Sequence, residues 1–326
     1  MSFRDIYGHE KKIEIIQRTL AKNRTGHAYL FSGISAVGKR TLALEFIKAL
    51  NCEKVNSLYD SCSECISCRK IQHESHPDIF TVKADGQFIR IDSIREIQRR
   101  VKCKPLEARM RAFIIDDADK MNDQAANALL KMLEEPSPSN ILILVTARPY
   151  SLLPTIISRC QHMRFNPLNS EAVAKFLIDQ TGMDNQRALL LAALSGGSIG
   201  NAMELNKEDI VAYRDELLRL LSMTRPNDPF SLINFASYLA QGKKEIRQGL
   251  NILNTFFRDA LIFKEIKKNE MLINQDNSSF VAACAARLSG EQILQNIAQI
   301  EKAGQILDQN VNKSLTLETM AFKLNY

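Results

Sequence analysis

The stretch HAYLFSGISAVGKRTLALEFIKAL, residues 27–50, limits what this chain can fold into more than any other part of it. HAYLFSG predicts a buried strand, and KRTLALEFIKAL has the spacing of an amphipathic helix. Between them lies a loop bounded by glycines. A strand, a glycine loop and a helix in that order build an anion cradle, in which backbone N–H groups and the positive end of the helix surround phosphate oxygens. Gly33, Gly38 and Lys39 supply the glycines and the lysine that such a cradle needs. The next position should offer a hydroxyl to a magnesium ion. Arg40 stands there instead, with donors only and a charge that repels a cation, and Thr41 comes one residue late. A nucleotide loop, working or relict, is expected here rather than a glycine turn with a chance lysine.

Residues 10–22 predict a helix, and three more apolar strands follow the loop at DIFTV, RAFIID and NILILVT. Between these lie the amphipathic segments DSIREIQRRV and NDQAANALLKMLEE, the second stopped by Pro136. Strands and helices alternating in this way predict a parallel sheet covered by helices. FIIDDADKM, residues 113–121, fits a second nucleotide element, an apolar strand ending in acids, with Asp116 as the metal-side carboxylate. Asp117 follows, where ATPases of this shape use the longer glutamate to orient water; the lost methylene misplaces the base. Taken alone, the same segment also fits a strand ending in a solvated acidic turn. ISRC, residues 157–160, brings Arg159, which can complete a neighbouring chain's phosphate site or make a plain surface salt bridge.

After QHMRFNP, near residue 165, every segment has helical spacing, with breaks at Gly196 and Gly197 and at MTRPNDP, residues 223–229. Three parts are expected: an α/β nucleotide-binding domain over 1–167, a small helical lid over 168–208 and a larger helical domain over 209–326. With 326 residues, 45% hydrophobic and 25% charged, the chain can fill two or three cores. No run approaches the roughly 18 apolar residues of a membrane span, and charges from Arg4 onward argue against a signal segment, so a cytoplasmic location is expected. The net charge of +6 is mild and the basic residues are scattered, without interleaved aromatics. That weakens a DNA-binding module acting alone.

Four of the seven cysteines, Cys52, Cys62, Cys65 and Cys68, crowd into one short span. Two CxxC steps joined by an upstream thiol satisfy tetrahedral zinc, with no open position, which predicts a structural ion. An iron–sulfur cluster is the rival, but the bacterial pattern requires a following cysteine and proline, and Gln72 and His73 occupy that region. Cys160 is expected to be a packed thiol rather than a ligand.

In sum and order, HAYLFSGISAVGKRT, the cysteine cluster, FIIDDADKMNDQAANALLKMLEEP, LVTARP and TIISRCQHMRF closely resemble the subunits of the bacterial DNA polymerase III clamp loader, of the AAA+ class. The match in motif order runs from about residue 5 to 206; beyond that only length and helical character agree. The resemblance implies an AAA+ P-loop sheet with a zinc-binding insertion, a helical lid and an all-α collar that holds a hetero-pentameric ring together. It implies partners in the gamma, tau and delta subunits, the sliding clamp and primed DNA. Thr146, in LVTA, matches the family's first sensor of the γ-phosphate. The motor subunits, gamma and tau, carry threonine where this chain has Arg40, and an arginine sensor where GSIGNA places Gly200. These departures fit the non-motor member of the ring, whose SRC arginine, here Arg159, faces the ATP site of the adjoining motor subunit. ATP and magnesium are then bound mainly by neighbours, with residual binding at Gly38 and Lys39 left open. The alternative within the family is an active gamma/tau-type ATPase or a related remodelling enzyme.

Overall fold

The computed structural model describes residues 1–207, 210–240, 245–307 and 311–326, and the expected boundary at 208/209 lies outside them. The chain divides into two units, Met1–Ala172 with Gly197–Gly200, and Val173–Gly196 with Asn201–Tyr326.

In the first unit five parallel strands lie in the order β2-β3-β4-β1-β5. They are β1 (Ala28–Gly33), β2 (Ile79–Val82), β3 (Arg111–Ile115), β4 (Asn140–Thr146) and β5 (Gln161–Phe165). α1 (Glu10–Ala21) precedes them, and between them lie α2 (Lys39–Asn51), α3 (Ile66–Gln72), α4 (Ile91–Val101), α5 (Asp123–Glu134) and the single turn α6 (Pro154–Ile157). β1, β3 and β4 carry almost uninterrupted apolar residues because both faces of a parallel sheet are covered. Leu30, Phe113, Ile115 and Leu144 on one face meet Ile94 and Ile97 of α4 and Leu129 and Leu133 of α5. Each such side chain contributes about 1.5–3 kcal/mol by leaving water. Because β1 is paired on both sides, the glycine loop that follows it is carried on the interior of the sheet rather than at an edge.

A buried ion pair pins the end of β2. The Asp78 carboxylate lies 2.9 Å from Arg111 Nη2 and accepts from the amides of Leu106, Glu107 and Ala108. Both side chains are almost fully buried, so each would be a stranded charge without the other.

The second unit is helical throughout its described residues. It holds most of α7 (Ser170–Thr181) and α9 (Ile199–Lys207), together with α8 (Asn185–Leu194), α10 (Ile210–Met223), α11 (Pro229–Ala240), α12 (Glu245–Ile266), α13 (Ser278–Arg287), α14 (Gly290–Leu307) and α15 (Lys313–Lys323). Leu217, Phe235, Phe257, Ile293 and Leu317 are buried, one from each of α10, α11, α12, α14 and α15. Arg214 is buried as well, held by the carboxylates of Asp215 and Asp276. No single helix among the described residues is long and apolar enough to cross a membrane.

Candidate functional site

The glycine loop keeps its glycines for steric reasons. Gly33 closes β1 with φ at 152°, and a Cβ there would lie 2.2 Å from the Phe165 carbonyl oxygen. Gly38, at φ 102°, caps α2 in a conformation that side chains rarely adopt. Ala36, at φ 55°, adopts the left-handed region without being glycine. Lys39 is buried, and its Nζ donates to the carbonyls of Gly33 at 2.7 Å and Ile34 at 2.6 Å. Burial pushes this ammonium's pKa down, against the pull of Asp116, Asp117 and Asp119.

Arg40 reaches from the first turn of α2 to two carboxylates. It pairs with Glu74, and its Nε lies 3.6 Å from Asp116 Oδ2. Asp116 directly follows β3, where a metal-side carboxylate was expected, and its pKa is raised by burial, with Arg40 opposing. The guanidinium thus supplies the positive charge that a divalent ion would bring to this carboxylate. Thr41, half-buried in the same turn, is one residue further along the helix. Asp117, at φ 52°, turns toward Lys120 at 2.8 Å. Thr146, buried at the end of β4, donates to Asp119 and accepts from the Arg148 amide at 2.9 Å.

Gly200 touches the loop itself. Its amide donates to the Ala36 carbonyl at 3.1 Å, and Ser198 Oγ donates to the Ser35 carbonyl at 2.9 Å. A Cβ on Gly200 would stand 2.5 Å from the Ala36 Cβ. An arginine could not occupy this position without displacing the loop, so Gly200 is fixed by packing.

His9 is a contact that sequence patterns do not expose. Its buried ring donates through Nε2 to the Val37 carbonyl at 2.8 Å and packs edge-on against Phe165. Burial lowers its pKa, which favours the neutral ring, and the carbonyl, which can only accept, places the ring proton on Nε2. A lone histidine before a helix carries no sequence signal for this role.

Arg159 follows α6. Its Nη2 lies 2.9 Å from Glu134 Oε1 and its Nη1 donates to the Thr155 carbonyl at 3.0 Å. The structure thus gathers Lys39, Arg40, Asp116 and Asp117 into one electrostatic neighbourhood, while Arg159 joins Glu134 and Thr155. Cys160, beside it, packs against the main core, and burial pushes its thiol up to about 12.

The four expected thiols converge. Cys52 ends α2, Cys62 lies in the following loop, Cys65 caps α3 and Cys68 sits inside it. Their sulfurs all lie within 4.8 Å of one another, close to the ~3.8 Å separations of a tetrahedron with 2.3 Å metal–sulfur bonds. Backbone N–H groups point at the sulfurs, from Cys62 to Cys52, Cys65 to Cys62 and Cys68 to Cys65. Burial pushes the thiols of Cys52 and Cys68 up; at Cys62 burial acts the same way, but the amides of Cys65 and Glu64 prevail and hold it at about 7. The cluster could hold a metal ion, whose charge would draw off the remaining protons.

A parallel sheet in this order, with a glycine loop after β1, acids after β3 and a polar residue at the end of β4, defines a P-loop protein of the AAA+ class. Residues 8–169 match the family described as DNA polymerase III, delta subunit, and residues 208–325 match its C-terminal family. The chain is 31% identical over 317 residues to DNA polymerase III subunit delta' of Bacillus subtilis, covering 96% of this chain and 94% of that one. It is 30% identical over 284 residues to subunit tau of the same organism, covering 80% of this chain and 50% of that protein. A solved gamma subunit-related protein from Thermotoga maritima aligns over 95% of this chain and 97% of its own, at 20% identity and a TM-score of 0.46. The chain belongs to the family of DNA polymerase III clamp-loader subunits.

Proposed function

We propose that this chain is the delta prime, non-motor subunit of a DNA polymerase III clamp loader, which helps load the sliding clamp on primed DNA without hydrolysing ATP itself. The observation that carries this is Arg40 beside Asp116, a fixed positive charge next to the carboxylate that would hold magnesium. Gly200, packed on Ala36, adds to it by leaving no side chain to contact a γ-phosphate. In this proposal Arg159 serves the triphosphate of an adjoining gamma or tau subunit, delta completes the ring, and the helices beyond residue 209 form its collar. The lid over 168–208 and the zinc assignment of the four thiols belong to the same proposal, with the ion stapling the insertion after α2.

The similarity to tau favours a second possibility, an active motor subunit. ATP hydrolysis by the purified chain, alone and with motor subunits, separates the two. Background turnover alone is expected; magnesium-dependent turnover by the isolated chain would establish the motor.

A further inference from the structure

The guanidinium proposed to act in trans is already engaged within its own unit. Arg159 Nη2 is 2.9 Å from Glu134 Oε1, at the last residue of α5, and Nη1 donates to Thr155 in α6. The two side chains are 36% and 52% exposed, so the pair can be reached from solvent. Glu134 also lies at the negative end of α5, where a carboxylate is unfavourable unless a cation lies against it. That placement draws Arg159 toward Glu134 and away from any free orientation.

We propose that Glu134 is a positioning residue that holds Arg159 in reserve until a neighbouring chain's triphosphate displaces it. This rests on Arg159 acting in trans, as proposed above. An exposed carboxylate–guanidinium pair is weak and screened by salt. A triphosphate carries more charge and offers oxygens matched to the same planar fork, so it wins once it is brought close. The Thr155 carbonyl is a neutral acceptor that can keep Nη1 while Nη2 exchanges partners, so only the contact to Glu134 has to break. The carboxylate therefore raises the threshold for the arginine's engagement and suppresses turnover before the ring has closed on clamp and DNA.

The test is ATP turnover by the reconstituted ring containing Glu134→Gln, which keeps the shape and removes the charge. Unstimulated turnover is expected to rise about two- to five-fold, while turnover stimulated by clamp and primed DNA stays unchanged. Glu134→Asp should return part of the suppression. On an Arg159→Ala background Glu134→Gln should do nothing, an outcome that a merely structural role for Glu134 would not give. If Arg159→Ala lowers turnover but Glu134→Gln leaves the unstimulated rate unchanged, or shifts it equally on both backgrounds, the reserve role is wrong and the trans role stands. If Arg159→Ala in an assembled ring changes nothing, both fail together.

Discussion

Arg40 and Asp116 form an ion pair across the mouth of the glycine loop, Nε to Oδ2 at 3.6 Å, at the place where a P-loop protein brings a magnesium ion to its second carboxylate. Glu74 takes the outer edge of the same guanidinium. The loop thus has its own cation, covalently tethered, and the charge of a divalent ion beside it would be repelled.

Replacing that cation should change the metal dependence of nucleotide binding. Arg40→Thr returns a hydroxyl and frees Asp116, so magnesium-dependent binding of a fluorescent ATP analogue should appear where the parent chain shows none. Hydrolysis should not follow, because Gly200 still offers no arginine and its contact with Ala36 leaves no room for one. Tighter binding by the parent chain with magnesium than with a chelator would contradict the role given to Arg40.

The thiol cluster predicts a metal content. Elemental analysis should find about one zinc per chain, lost when Cys65 and Cys68 both become serine. Iron with visible absorption, or a reduced protein with no metal, would remove zinc from the description.

Asp78 predicts an acid-dependent stability. Burial alone would raise its pKa, but the amides of Ala108, Glu107 and Leu106 and the guanidinium of Arg111 outweigh it and hold the carboxyl at about 2, below its ordinary 3.8. A depressed carboxyl stabilises the fold fully above its unfolded value and loses that contribution as pH falls through the folded one. Urea unfolding should therefore show a decline from about pH 4 to about 2 that Asp78→Asn flattens. At neutral pH Asp78→Ala should cost about 3–5 kcal/mol by stranding Arg111. A loss below about 1 kcal/mol would mean that water reaches the pair.

The strand, loop and helix were legible because buried parallel strands and amphipathic helices write their periods directly into sequence, as at AYLFSG and LALEFIKAL. The thiol cluster was legible from spacing, since two CxxC steps hold three sulfurs in one small volume and Cys52 stands close enough upstream to supply the fourth. Alternation of strands and helices implied a parallel sheet but not that β4 separates β1 from β3, an order set by crossovers rather than by neighbours in the chain. Partnerships across the fold were hidden for the same reason. Arg40 could be seen to lack a hydroxyl, but Glu74 and Asp116 lie 34 and 76 positions away. Gly200 could be seen to lack a side chain, but only its contact with Ala36 shows why. Arg159 stood out by its motif, whereas Glu134 looked like the end of a helix before Pro136.

In the proposed ring this chain lends Arg159 to a phosphate bound elsewhere, and ATP turnover and clamp loading by a ring assembled with Arg159→Ala measure that most directly. Folding, metal content and assembly should be unchanged, because the side chain is partly exposed and its polar contacts among the described residues are those to Glu134 and Thr155. Hydrolysis at the one adjoining site should fall by up to ~10³ to 10⁵, the usual worth of such an arginine. Total turnover should then drop only in part while clamp loading drops further, and Arg159→Lys should rescue poorly for want of the planar fork. Unchanged turnover and loading by a fully assembled Arg159→Ala ring would reduce Arg159 to a surface salt bridge with Glu134.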